Sequence, residues 1–222
     1  MIGIIEVYGS MLLRALGQTL LLTLLSLLFA MVIGMIFGLM NVGHNRVLNL
    51  IGTIYVDAVR GVPLIVLAYF IYFGVPAGRQ GLGFASFRLN ALQAGTAALS
   101  MNCGAYMAEI IRAGIQSVDP GQMEAARSLG LPYWRSMARV VLPQAIRTMI
   151  PSVINQFIIT LKDTSILSVI GFPELVNTAK NVQAATFKSF QTWFIVGIMY
   201  LIVITILSRC AKMVERRLNR GR

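Results

Sequence analysis

Five stretches carry no charged side chain: 15–43, 61–78, 89–108, 148–161 and 189–208. Each is apolar all round, whereas a helix of a soluble bundle keeps a polar stripe. A helix needs about 20 mostly apolar residues to cross the hydrocarbon of a bilayer. The run 148–161 reaches that length only by continuing past Lys162 and Asp163. The pattern predicts an all-α membrane protein with five transmembrane helices near 18–40, 53–75, 89–116, 144–169 and 190–209, in a single domain over 1–222. The first run is too long for the core of a signal peptide and is read as a retained span. Along it Ala30, Gly34 and Gly38 recur every fourth residue, a ridge of small side chains that lets another helix approach closely.

Composition agrees: 57% of residues are apolar and 12% charged, about half the charged share of soluble domains. The net charge of +11 would suit nucleic acid, but its distribution has another explanation. With five spans, thirteen Lys and Arg fall on one side, among them Arg46, Arg112, Arg135 and Lys212. Five fall on the other, namely Arg14, Arg79, Arg88, Lys180 and Lys188. Basic loops mark the cytoplasmic side, so the N-terminus is expected outside and the C-terminus inside, with the lipid bilayer and not nucleic acid as partner. Cys103 and Cys210 lie at different depths, so no disulfide is expected. The lone His44 sits in a loop, and no set of metal ligands is present.

The longest internal polar stretch, 117–143, has clear local signals. Asp119 can cap a helix, Pro120 suits its first turn, and Gln122 stands where a capping-box partner would. That helix runs through Glu124, Ala125 and Ala126 and stops at Gly130. A second helix starts at Pro132 and carries Trp134, Met137, Ala138 and Val141 on one apolar face. Pro143 marks the return to the membrane. A helical hairpin of this kind suits docking to a partner.

Glu124-Ala125-Ala126, then Gly130, then Val140-Val141-Leu142-Pro143 resembles the cytoplasmic EAA loop of binding-protein-dependent ABC importer permeases. Residues 55–76, 103–115 and 161–175 resemble its polar amino acid uptake branch, and the resemblance covers roughly residues 10–210. Asp57 stands where the branch usually has glutamate and Leu67 where it often has glutamine, a change within a span that bears on substrate choice. The resemblance implies a type I ABC importer permease fold in a bacterial inner membrane, paired with a second permease copy or a paralogue. It further implies a cytoplasmic ABC ATPase dimer docked on the hairpin through Glu124, Ala125, Ala126 and Gly130. An extracytoplasmic solute-binding protein would deliver a polar amino acid. The chain has no phosphate-binding G-x-x-x-x-G-K-[ST] loop, so no cofactor is expected in it, and ATP and Mg belong to the partner.

Ionisable groups inside spans are costly and mark candidate sites. Asp57 with Arg60, and Glu109 with Arg112, are spaced to pair along one helix and read as structural. Lys162 and Asp163 are adjacent, point to different sides and need partners elsewhere. A zwitterionic amino acid would complement them, as would a packing contact across a dimer. Ser100 and Asn102 on the third span reach a similar depth and join them as candidate substrate-binding residues. Pro63, after Gly61, breaks the second span, either to line a cavity or to pack. Trp193 suits an interfacial anchor. The competing class is an ion or solute channel not driven by ATP, which would need polar residues repeating along one span. An intramembrane enzyme would need a nucleophile with its base, or metal ligands, inside the spans.

Overall fold

The computed structural model describes residues 1–43, 45–83 and 88–219, with side chains through Met213. His44, Arg220, Arg222 and the side chains of Arg216 and Arg217 lie outside the described residues. Everything regular among those described is helical. Helices α1 (Ile2–Val42), α2 (Arg46–Gly61), α3 (Leu64–Tyr69) and α4 (Val75–Gly81) precede α5 (Ala91–Gln116). The hairpin helices α6 (Pro120–Ser128) and α7 (Tyr133–Ser136) lead to α8 (Leu142–Asp163), α9 (Leu175–Thr186) and α10 (Ser189–Asn219).

Helix α5 is the centre of the fold. Its buried residues include Ala94, Gly95, Ala98, Gly104, Ala105 and Ala108, so neighbours pack close to its backbone. The Ala30–Gly34–Gly38 ridge of α1 lies against it. A Cβ on Gly34 would overlap Met107, one on Gly38 would meet the Ala108 carbonyl at 3.0 Å, and one on Gly104 would meet Ile33 at 2.7 Å. At each position the glycine lets the neighbouring helix come closer than a methyl group would allow. Helix α2 is tied to α5 by the Tyr55 hydroxyl, which donates to the Met101 carbonyl at 2.8 Å.

Side-chain caps start four of the helices: α2, α5, α6 and α9. Asn45 accepts from the amide of Val47, and Asn90 forms a full capping box with Gln93. Asp119 accepts from the Gly121 amide at 2.8 Å. The side chain of Gln122, expected to complete a capping box, does not accept from the Asp119 amide, and the cap on α6 is the Asp119–Gly121 bond alone. Gly130 takes a left-handed φ of 84°, and Leu131 donates to the Ala126 carbonyl, which closes α6 in a Schellman turn. Buried Glu174 accepts from the amides of Val176 and Asn177 to start α9, and the Tyr200 hydroxyl of α10 donates to it at 3.4 Å.

The break expected at Pro63 within 53–75 is present, and α2 and the α3–α4 segment are bent by 102° around Gly61–Pro63. Two expectations need correction. Pro143 does not separate the hairpin from the next span. The second hairpin helix runs on through a π-turn, Met137–Val141, into α8, giving a continuous helical path Tyr133–Ile170. The wide turn accommodates the missing proline amide, and the Gln144 side chain donates to the Val140 carbonyl at 2.9 Å. The face expected from Trp134 to Val141 is also split. Met137 and Val141 pack against Ile115 of α5, whereas Trp134 is 78% exposed.

By length and apolarity three helices can cross a bilayer: Ile2–Val42, Tyr133–Ile170 and Ser189–Met213. The bent α2/α3–α4 pair makes a fourth. Helix α5 has 26 residues but carries Asn102, Glu109 and Arg112 and falls short in apolarity. Gly34→Val should lower stability by about 1–3 kcal/mol, the usual range for overpacking. Gly197→Ala, which meets nothing within 4 Å, should leave it unchanged. The apparent melting temperature of the two purified variants in detergent checks this.

Candidate functional site

The break between α2 and α3 opens onto a cavity of about 500 Å³. Arg60 and Pro63 line it from the break, Asn102 and Tyr106 from α5, and Gln156 and Asp163 from α8. Gln156 and Asp163 are seven residues apart, two helical turns, and therefore share a face. Asn102 and Gln156 are buried to within 8% and 6%. Among the described residues the Asp163 carboxylate accepts no protein hydrogen bond and forms no ion pair. The cavity thus presents one unspent carboxylate and two amides. Helix α2 also ends here, and the C-terminus of a helix carries partial negative charge that favours a cation.

At the cavity rim the Arg60 guanidinium donates to Glu109 at 3.1 Å and lies 5.0 Å from the centre of the Tyr106 ring. Glu109 also holds Arg112 through its other oxygen. The expected Asp57–Arg60 pair does not form. Arg60 reaches across to α5, where the shared Glu109 and the Tyr106 ring together hold it better than a carboxylate on its own exposed helix. Asp57 instead lines a small polar recess with Asn49, Glu109 and Gln116.

The four candidate substrate residues separate into two groups. Asn102 and Asp163 line the same cavity. Ser100 lies in an apolar groove between α1 and α5, beside Leu25, Phe29 and Ile33, and donates to the Thr96 carbonyl. Lys162 points into a third recess between α8 and α10. Leu67 is buried in the core with Leu99 and Leu167 and does not reach the cavity. Arg60, Tyr106 and Gln156 were missed as cavity residues. The two-turn spacing of Gln156 from Asp163 was a usable signal for one of them; the turn of Arg60 towards α5 had none.

On the hairpin, Glu124, Ala125 and Gly130 are exposed and Leu129 is 85% exposed, whereas Ala126 is turned inward. Trp134 is exposed too, at the end of the continuous α7–α8 path remote from Asp163.

Residues 30–220 match the family described as the binding-protein-dependent transport system inner membrane component. The chain belongs to that family. The transport-system family is an inner-membrane one, and with several apolar helices the chain is a multi-pass inner-membrane protein. It is 38% identical to the probable glutamine ABC transporter permease protein GlnM of Bacillus subtilis (strain 168), over 96% of this chain and 95% of that one. It is 34% identical to the glutamine transport system permease protein GlnP of Escherichia coli (strain K12), over 94% and 93% of the two chains. A crystal structure of an amino acid ABC transporter with histidines superposes with a TM-score of 0.88 at 36% identity, covering 97% of both chains. An inward-facing structure of the MetNI methionine ABC transporter shares the fold, with a TM-score of 0.79 at 20% identity, over 95% of this chain and 97% of that one.

The cavity assignment can be checked by thiol labelling in a background lacking Cys103 and Cys210. Asp163→Cys should react with a small charged, water-soluble reagent. Leu161→Cys, 1% exposed, and Ser100→Cys, facing the apolar groove, should react at least about tenfold more slowly, since a charged reagent avoids apolar surroundings.

Proposed function

We propose that this chain is the membrane-spanning subunit of an ATP-driven importer of a polar amino acid, with the Asp163 cavity as the substrate's station in the membrane. The observation that carries the reading is the Asp163 carboxylate, without a hydrogen bond or ion pair among the described residues, beside the buried Asn102 and Gln156 amides. A substrate ammonium satisfies the acid, and the amides accept and donate to polar groups. Arg60, not Lys162, is the cation placed to meet the substrate carboxylate. Relatives named as glutamine permeases, and an arginine permease of Bacillus subtilis (strain 168) 35% identical over 94% of this chain, support the amino acid class. The same relatives disfavour a channel not driven by ATP.

The chain forms one permease domain over 1–222 with five spans: α1, the bent α2/α3–α4 pair, α5, the α7–α8 path and α10. The N-terminus is outside and the C-terminus cytoplasmic, with the coupling loop 117–143 on the cytoplasmic side. A second permease, a cytoplasmic ATPase dimer that binds ATP and Mg, and an extracytoplasmic binding protein complete the complex. The ATPases grip the exposed Glu124, Ala125, Leu129 and Trp134, and their closure rocks the permease pair.

A complex reconstituted with its binding protein should show ATP-dependent uptake for some members of an amino acid panel. Uptake without ATP, or of inorganic ions alone, would overturn the reading. Asp163→Asn should leave assembly and basal ATP hydrolysis intact. It should raise the half-saturating substrate concentration by about 10–100-fold, the loss of one hydrogen bond to a charged group. Failure of the mutant to assemble would make Asp163 a structural residue. Gly130→Val forces a branched side chain into the left-handed region at a cost of about 1–2 kcal/mol and should reduce both ATPase copurification and uptake. Cysteines at Gly78 and Lys212 should label from opposite faces, Gly78 from outside; labelling from one face would remove the five-span topology.

A further inference from the structure

Lys162 is exposed and, among the described residues, has neither an ion pair nor a hydrogen bond to its ammonium. It opens into a recess of about 320 Å³ lined also by Ser165, Trp193, Gly197, Tyr200 and Ile204. The other polar protons around this recess are already used. Ser165 donates to the Lys162 carbonyl at 2.7 Å, Trp193 to Gln183 at 2.6 Å, and Tyr200 to Glu174. The recess therefore offers one free cation and an otherwise apolar wall. A free sugar or amino acid would need several donors and acceptors. A small inorganic anion would gain nothing from the wall.

The recess is also elongated. Trp193, Gly197, Tyr200 and Ile204 follow one stripe of α10 over 11 residues, about 16 Å, and Gly197 has nothing within 4 Å of where its Cβ would stand. The stripe is thus an open channel floored by a glycine. Lys162 lies about 22 Å beyond Arg147 along α8, in the half of the bilayer remote from the hairpin. A lysine at that depth extends its ammonium towards the headgroups. A cation within a span is costly, and α10 carries the least buried of the apolar windows, at 11%.

We propose that the α8–α10 recess is a seat for an anionic phospholipid, its phosphate on the Lys162 ammonium and one acyl chain along the Trp193–Ile204 stripe over Gly197. The proposal rests on α8 and α10 spanning the bilayer, and not on the substrate assigned to the Asp163 cavity. The lipid completes the surface between two helices that protein side chains leave open, and it gives the Lys162 ammonium an anionic partner.

The test uses the full chain in nanodiscs of phosphatidylglycerol mixed with phosphatidylcholine, with the lipid retained on release counted by native mass spectrometry. The wild type should retain phosphatidylglycerol in preference to phosphatidylcholine. Lys162→Gln should cut that retention about fivefold, the attraction of one lysine for an anionic headgroup, and Lys162→Arg should keep it. Gly197→Leu, whose Cβ meets nothing within 4 Å and whose branched end would occupy the channel, should cut it comparably. Lys188→Gln, outside the recess, should not. Monodisperse elution of each variant establishes that it folds, and if Lys162→Gln does not, Gly197→Leu against Lys162→Arg decides. Equal retention in Lys162→Gln and the wild type, or no preference for the anionic lipid, overturns the proposal. So does a zero-length carbodiimide cross-link joining two permease copies through Lys162, because the cation would then face a partner's carboxylate.

Discussion

The close approach of α1 to α5 is the contact on which the remaining elements depend. Helices gain little hydrophobic drive from associating in lipid, so their contact relies on packing over large, closely matched surfaces. Gly34, Gly38 and Gly104 supply that surface by removing side chains at the crossing. With α1 held on one side, α5 presents its other faces to α2, α3 and α8. Asn102 and Tyr106 are thereby carried to the cavity and Ser100 to the opposite groove, although all three lie within two turns of one helix.

Much of this order was legible in the chain. The five charge-free runs fall largely within α1, the α3–α4 segment, α5, α8 and α10, because apolar length in a bilayer leaves the backbone few alternatives to a helix. Asp119, Pro120 and Gly130 marked the hairpin because each acts through its own backbone conformation, a local property. The small-residue ridge was legible for the same reason.

What the chain did not disclose was direction. The spacing of Asp57 and Arg60 permitted a pair along one helix, yet Arg60 turns to Glu109 and Tyr106 on another. Lys162 and Asp163 invited a joint role, but a 100° step around the helix sends them into different recesses. The break at Gly61–Pro63 was expected, either to line a cavity or to pack, but its 102° was not, and α3 there packs with Leu99 of α5 and with Leu167. In each case the decisive neighbour is distant in sequence, and nothing in a single chain's spacing identifies it.

The helical path Tyr133–Ile170 has a mechanical consequence. Trp134 and Asp163 sit on one rod, about 44 Å apart at 1.5 Å per residue. A rigid rod of that length tilted by about 5° about its hairpin end moves the other end by about 4 Å, more than the length of a hydrogen bond. Two places can absorb part of the motion: the π-turn Met137–Val141 and Pro151 within α8. The stiffness of these two joints sets how far a force applied to the hairpin is felt at the carboxylate, so the throw of this lever is encoded in a proline and one over-wide turn.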